Sequence, residues 1–242
     1  MKKIKFLAIC AIAVLTATSA KAQFSTGADV VSSYVWRGFS QDRSIITIKG
    51  DTTSLLGTPN IQPYASFTAG KFTIGSWASS SFGGLVKEVD LYATFAPSSS
   101  FAITVTDYNW GFASKKGYFD YSKTTDHIFE ATVAYTGSEK FPISASINTM
   151  FAGADKKASN GKQAYSTYIE VGYLVTPLVK VFAGGLIGES GAYVTTSGGI
   201  TNAGIKVSKS VSITDKFSLP VYGIVGANPY KKDVFFVAGI TL

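Results

Sequence analysis

Apolar and polar side chains alternate at every second residue through about twelve segments of this chain. That period of two constrains the fold more than any other feature. A strand sends successive side chains to opposite faces, whereas an amphipathic helix repeats every ~3.6 residues. The segments are 25–40, 60–70, 71–82, 87–97, 100–111, 126–137, 142–153, 163–176, 179–190, 200–213, 217–227 and 233–242. In the sixth, His127, Phe129, Ala131, Val133 and Tyr135 share one face, and Asp126, Ile128, Glu130, Thr132 and Ala134 the other. In the fourth, Val89, Leu91, Ala93 and Phe95 oppose Glu88, Asp90, Tyr92 and Thr94. No long stretch carries a helical period, so the chain reads as all-β.

Segment length and the connections then separate two kinds of β protein. Strands of soluble proteins average about 5–6 residues, while a tilted strand crossing a bilayer takes about 9–11. Most segments here have the longer length. At one end the connections are short: "GK" at Gly70, "PSSS" at Pro97, "GSEKFP" at Gly137, "TPL" at Pro177 and "TDK" at Asp215. At the other end several are long and polar, among them "QDRSIITIKGDTTSLLGTP", "FASKKGYFDYSKTTD" and "GADKKASNGK", with the short "GGLV" as an exception. This two-ended asymmetry is typical of outer-membrane barrels, which have even strand numbers. The final "DVFFVAGITL" puts Val234, Phe236, Ala238, Ile240 and Leu242 on one face up to the last residue. In lipid every backbone group must be paired, which only a closed sheet achieves. The expectation is a transmembrane antiparallel up-and-down β-barrel of about twelve strands over residues 23–242, closed by its C-terminal strand.

Composition agrees. Charged residues make up 15% of the chain, against roughly 25% in ordinary globular proteins. The start has the three parts of a secretory signal: basic "MKKIK", apolar "FLAICAIAVL" and small-residue "AKA" before Gln23, so residues 1–22 read as a signal peptide. The one cysteine, Cys10, lies within it, which leaves no disulfide for the exported domain. Lys2, Lys3, Lys5 and Lys21 lie there too, so the net charge of +7 falls to +3 without it. No lysine or arginine cluster marks a nucleic-acid footprint.

Four motifs follow in order along the first half. They are "SSYVWRGFSQ", "FTIGSWASSS", "EVDLYATF" and "VTDYNW", with "IFEATVAY" a weaker fifth. Together they resemble, over roughly residues 28–110, the TorF-like family of outer-membrane porins, whose function is unknown. The resemblance implies a membrane barrel that acts as a pore. It implies no substrate and no catalytic residues.

The inward parity of the strands gathers Asp29, Arg37, Glu88, Asp90, Glu130, Glu170 and Lys206. Buried charges demand partners or water, so Arg37 is expected to pair with Glu88 or Asp90. The result would be either a static network or a constriction selecting solutes. Tyr34, Trp36, Trp77, Tyr92, Tyr108, Trp110, Tyr135 and Tyr173 fall near strand ends. Tyr34, Trp36, Trp77, Tyr135 and Tyr173 in particular are expected in interfacial aromatic girdles, while Tyr92 points inward. A twelve-stranded lumen lies between the filled interior of eight strands and the open channel of sixteen, so it suits ions or small polar solutes. The single histidine, His127, has Ser122 nearby but no accompanying motif, and is expected at the lipid interface. No Cys/His cluster suggests zinc, and no cofactor is implied. The expected partners are outer-membrane lipid, lipopolysaccharide and the permeating solutes. Two alternatives stay open: a non-conducting structural or surface-interaction barrel, and a lipid-modifying enzyme built on His127.

Overall fold

Val, Ile, Thr and aromatic residues at alternate positions fit a pleated, half-buried surface. In a computed structural model they form strands throughout. The structure describes residues 22–48, 51–84, 87–110 and 117–242; the expected signal peptide, residues 1–22, lies outside them but for residue 22. The strands, in chain order, are β1 (Gln23–Val31), β2 (Val35–Trp36), β3 (Phe39–Ser40), β4 (Arg43–Ile48), β5 (Asp51–Gly57), β6 (Asn60–Ala69), β7 (Phe72–Ser81) and β8 (Lys87–Phe95). They continue as β9 (Phe101–Asn109), β10 (His127–Tyr135), β11 (Ile143–Gly153), β12 (Thr167–Thr176), β13 (Val179–Leu186), β14 (Gly199–Thr214), β15 (Phe217–Asn228) and β16 (Asp233–Thr241).

Twelve of these, β1 and β6 to β16, make one closed antiparallel barrel in which each strand pairs with its neighbours in sequence. The ring closes where β16 meets β1, with Asp29, Val30 and Val31 opposite Thr241, Ile240 and Gly239. β1 pairs along its whole length with β6 but only at its end with β16. That offset is the stagger that closing a tilted sheet requires. Turns at one end are short, as at Gly70–Lys71 and Pro177–Leu178, and the long connections gather at the other.

The two faces differ in the way the alternation predicts. Ile74, Leu91, Val105, Val133, Ile147, Val171, Ile205, Val225 and Phe236 are exposed on the outside. The strand faces turned inward carry Glu88, Asp90, Glu130, Asn148, Asn202 and similar polar groups, most of them buried.

One expected strand differs. The segment 25–40 does not continue in the wall. β1 ends at Val31, and residues 32–42 turn inward as the small hairpin β2–β3. Its two central residues, Arg37 and Gly38, have φ of 51° and 85°. A two-residue hairpin turn of the twist-compatible kind needs φ > 0 at both positions, so the period of two persists across a change of direction. Gly38 is required twice over: for its φ, and because a Cβ there would overlap the Thr201 carbonyl oxygen of β14. The turn is fastened to the wall by Thr201 Oγ1 donating to the Arg37 carbonyl (3.3 Å) and Asn228 Nδ2 donating to that of Gly38 (3.1 Å).

Gly38→Ala should therefore undock the hairpin at a cost of about 2 kcal/mol or more. Arg37, shielded in the wild type, then becomes a tryptic site in the otherwise folded barrel, cut at least roughly tenfold faster. Mass mapping of limited digests checks this; an unchanged rate at Arg37 would mean that the hairpin tolerates a side chain at Gly38.

Candidate functional site: a charged hairpin in the barrel lumen

The base of the hairpin is tied by a carboxylate. Asp42, almost fully buried, accepts from Ser33 Oγ (2.9 Å), the Tyr34 backbone N–H (2.6 Å), Ser40 Oγ (3.2 Å) and Asn60 Nδ2 of β6 (2.5 Å). Short-range hydrogen bonds of this kind hold a loop away from the path of a strand. They turn residues 32–42 into the lumen rather than out over the rim.

From this base the hairpin reaches across to the opposite wall. Arg37 Nη1 and Nη2 donate to Glu130 Oε2 (2.6 Å) and Oε1 (2.8 Å) of β10, a bidentate pair with only 1% of the Glu130 side chain exposed. Arg37 Nη1 also donates to Tyr193 Oη (2.5 Å). Tyr108 Oη and Thr132 Oγ1 donate to Glu130 Oε1 at 3.0 and 3.3 Å, so the carboxylate is oriented from the wall side as well. The guanidinium lies 4.7 Å from the Trp36 ring and 4.9 Å from the Tyr168 ring, within cation–π range.

Aromatic rings fill the space around the pair. Trp36 stacks on Tyr193 (4.7 Å, 7°) and meets Tyr108 and Trp110 edge-on at 5.7 and 5.4 Å. With Ile128, Met150, Tyr168 and Leu186, these rings form the one hydrophobic cluster found among the described residues, and it lies inside the barrel. Burial pushes the Tyr193 hydroxyl above its ordinary range, so it stays protonated beside Arg37.

Tyr193 is carried by residues 187–198, and this loop is pinned by a second buried carboxylate. Asp155 accepts from Ser166 N–H (2.9 Å), Ser166 Oγ (2.6 Å) and the Ala192 N–H (3.1 Å). Two loops are thereby fixed over the hairpin.

The anticipated lumen charges all face inward, but in separate groups. Arg37 pairs with Glu130, not with Glu88 or Asp90 as the sequence suggested, because the hairpin carries it toward β10 rather than leaving it in β1. Glu88 and Asp90 lie instead near Tyr34. Burial, and then the charges of these two carboxylates, push the Tyr34 hydroxyl well above its ordinary value. Asp90 Oδ1 accepts the Asn109 N–H at 3.3 Å, while the Glu88 oxygens have no hydrogen-bond partner among the described residues. Glu170 Oε2 accepts from Tyr168 Oη (2.6 Å) and Asn202 Nδ2 (3.1 Å). Asp29 accepts from Thr241 Oγ1 and Tyr222 Oη, and Lys206 Nζ lies over the Tyr222 ring at 4.3 Å.

The expected girdle divides. Tyr135 and Tyr173 face outward at the turn end, where Tyr135 meets Phe101 (5.0 Å). Tyr34, Trp36 and Trp77 do not belong to a girdle. Tyr34 and Trp36 enter the lumen with the hairpin, and Trp77 shares the inward face of β7 with Gly75 and Ser79, where it meets Tyr34 at 5.5 Å. Tyr108 is likewise inward.

His127 has the outward register expected of it, but it is not at an exposed interface: residues 117–125 cover it, and it is 1% exposed. Its Nδ1 lies 2.6 Å from Asp107 Oδ1 and its Nε2 lies 2.5 Å from the Tyr118 carbonyl oxygen. Ser122 Oγ bonds to Thr124 Oγ1 (3.2 Å) and accepts the Thr124 N–H (3.3 Å). Tyr168, Tyr193, Asp42 and Asp155 are not among the site residues expected from the sequence. Of these, Tyr168 alone carried a local signal, the same inward parity as Glu170.

The hairpin does not fill the lumen. A cavity of about 230 Å³ lies between Trp36, Trp77, Asp90, Tyr92 and Tyr108. Another of about 150 Å³ lies between Arg37, Gln62, Asn202, Tyr222 and Phe235.

Breaking a buried, hydrogen-bonded ion pair from one side strands the other charge and costs about 3–5 kcal/mol. Arg37→Ala and Glu130→Gln should each destabilise by that order in urea unfolding of the refolded barrel. The double variant should lose about 2 kcal/mol less than the sum. Simple additivity would show that the pair does not hold the hairpin.

No protein-family model matches the chain, and no curated protein matches it in sequence.

Proposed function

We propose that this chain is an outer-membrane barrel, in keeping with its TorF-like resemblance, that passes ions or small polar solutes passively around a charged constriction. The observation that carries this reading is the Val35–Ser40 hairpin. It stands across a polar lumen with Arg37 and Glu130 at its tip and solute-sized space on both sides. Charged groups at the narrowest part of a barrel select what crosses by size and sign. The apolar outer surface supports a lipid environment, in contact with outer-membrane lipid and lipopolysaccharide. Exposed apolar area on this scale is a liability in water and an asset in a bilayer. A second reading, a barrel that does not conduct, draws support from the bidentate pairing of Arg37 and its stacking between aromatic rings.

Two measurements test this. Ile147 is exposed in the middle of β11. Ile147→Arg should destabilise the barrel by about 2–4 kcal/mol if the residue faces hydrocarbon, and should be neutral or favourable if it faces water. In planar bilayers the refolded protein should give small single-channel steps. Replacing residues 33–41 by a short Gly/Ser linker should enlarge them several-fold. Absence of current in both proteins would favour the non-conducting barrel.

A further inference from the structure

We propose that Glu130, with Tyr108, Tyr168 and Tyr193 around it, is a guanidinium-binding site that Arg37 fills from within, and that a solute bearing a guanidinium group competes for it. As an account of what the channel carries, this rests on the passive-diffusion reading; the site itself does not.

The receptor is built without the hairpin. Glu130, Tyr108 and Tyr168 belong to the wall strands β10, β9 and β12, and Tyr193 is pinned through the Asp155 network. The Tyr108 hydroxyl donates to Glu130 from the neighbouring wall strand (3.0 Å), so the carboxylate keeps a wall partner when Arg37 is withdrawn. The cation it accepts is defined by geometry. Two parallel N–H donors meet the two carboxylate oxygens at 2.6 and 2.8 Å, a fork that a guanidinium makes and an ammonium does not. The planar cation also rests against the Tyr168 ring (4.9 Å) and bonds Tyr193 Oη. The cavity of about 150 Å³ that Arg37 borders, with Gln62, Asn202 and Tyr222, offers room for the remainder of a small ligand.

Arg37 occupies the site at a position that suits arginine poorly. The first central residue of such a turn favours Asn, Asp or Gly, yet an arginine stands there at φ 51°. A backbone preference set aside in this way points to the side chain as the reason for the residue. The hairpin acts as a tethered ligand, present at high effective concentration, and a free competitor must exceed it.

The test uses methylguanidinium chloride, with sodium and ethylammonium chlorides at equal ionic strength as references. In refolded Arg37→Ala, methylguanidinium should raise the thermal midpoint, and should do so at concentrations on the order of tenfold lower than ethylammonium. Wild type, whose site is filled by a tethered ligand, should respond only at far higher concentration, and Arg37→Ala/Glu130→Gln, whose carboxylate is gone, should not distinguish the three salts. If Arg37→Ala fails to refold in sodium chloride, its refolding yield with methylguanidinium, and the midpoint of the milder Arg37→Gln, give the same comparison. An empty-site variant that treats methylguanidinium no differently from sodium and ethylammonium overturns the site. In bilayers, methylguanidinium should block wild-type current more strongly than ethylammonium. A wild-type barrel that carries no current overturns the pore while the thermal comparison still decides the site.

Discussion

The Arg37–Glu130 pair holds the first loop of this barrel inside it, and most of the interior is arranged around that pair. A guanidinium and a carboxylate removed from water are costly unless each finds its full set of partners. Here the partners come from many directions: Tyr108 from the adjoining strand β9, Thr132 from the same strand as Glu130, Tyr193 from a distant loop, and the faces of Trp36 and Tyr168. The same contacts that satisfy the charges gather the aromatic rings into a cluster. Since the pair lies in the lumen, the hydrophobic cluster lies there too.

This placement reconciles two demands on a β-barrel with an apolar exterior. Lateral hydrogen bonds close the wall completely, since β16 returns to β1. A twelve-stranded ring is nevertheless too wide for wall side chains alone to fill. The chain meets the second demand with its own first loop, set across the lumen on two carboxylate anchors. Asp42 fixes where the loop leaves β1, and Asp155 fixes the loop that caps it. Residual space remains on both sides of the hairpin, so the interior is obstructed in part.

The wall was legible in the sequence because its information is local. Period-two alternation, strand length and connection length are each contained in about ten neighbouring residues, and they yield the strand count, the closure and the inward face of Glu88, Asp90, Glu130 and Glu170. The hairpin was not legible for the same reason. Its own alternation continues that of β1, so Tyr34 and Trp36 look like further strand residues, and "RG" is a weaker turn signal than "NG" or "DG". Trp77 could have been placed: its neighbours at every second position, Gly75, Ser79 and Ser81, are small or polar, while Phe72 and Ile74 hold the other face. The partner of Arg37 could not, since Glu130 is distant in sequence and the choice between it and Glu88 or Asp90 depends on where the hairpin points.

"SYVWRGFS" thus combines requirements of two kinds. Gly38 is there for the backbone: its φ and its contact with Thr201 admit no side chain. Arg37 is there in spite of the backbone, at a left-handed position where a smaller residue would cost less. When a turn keeps a residue its conformation disfavours, the compensation must lie in what the side chain touches, and here it touches a bidentate carboxylate, a tyrosine hydroxyl and two aromatic faces. Those are the contacts by which a guanidinium is told from a sodium ion or an ammonium group. A guanidinium arriving from outside would have to meet the same carboxylate, hydroxyl and ring face that Arg37 meets.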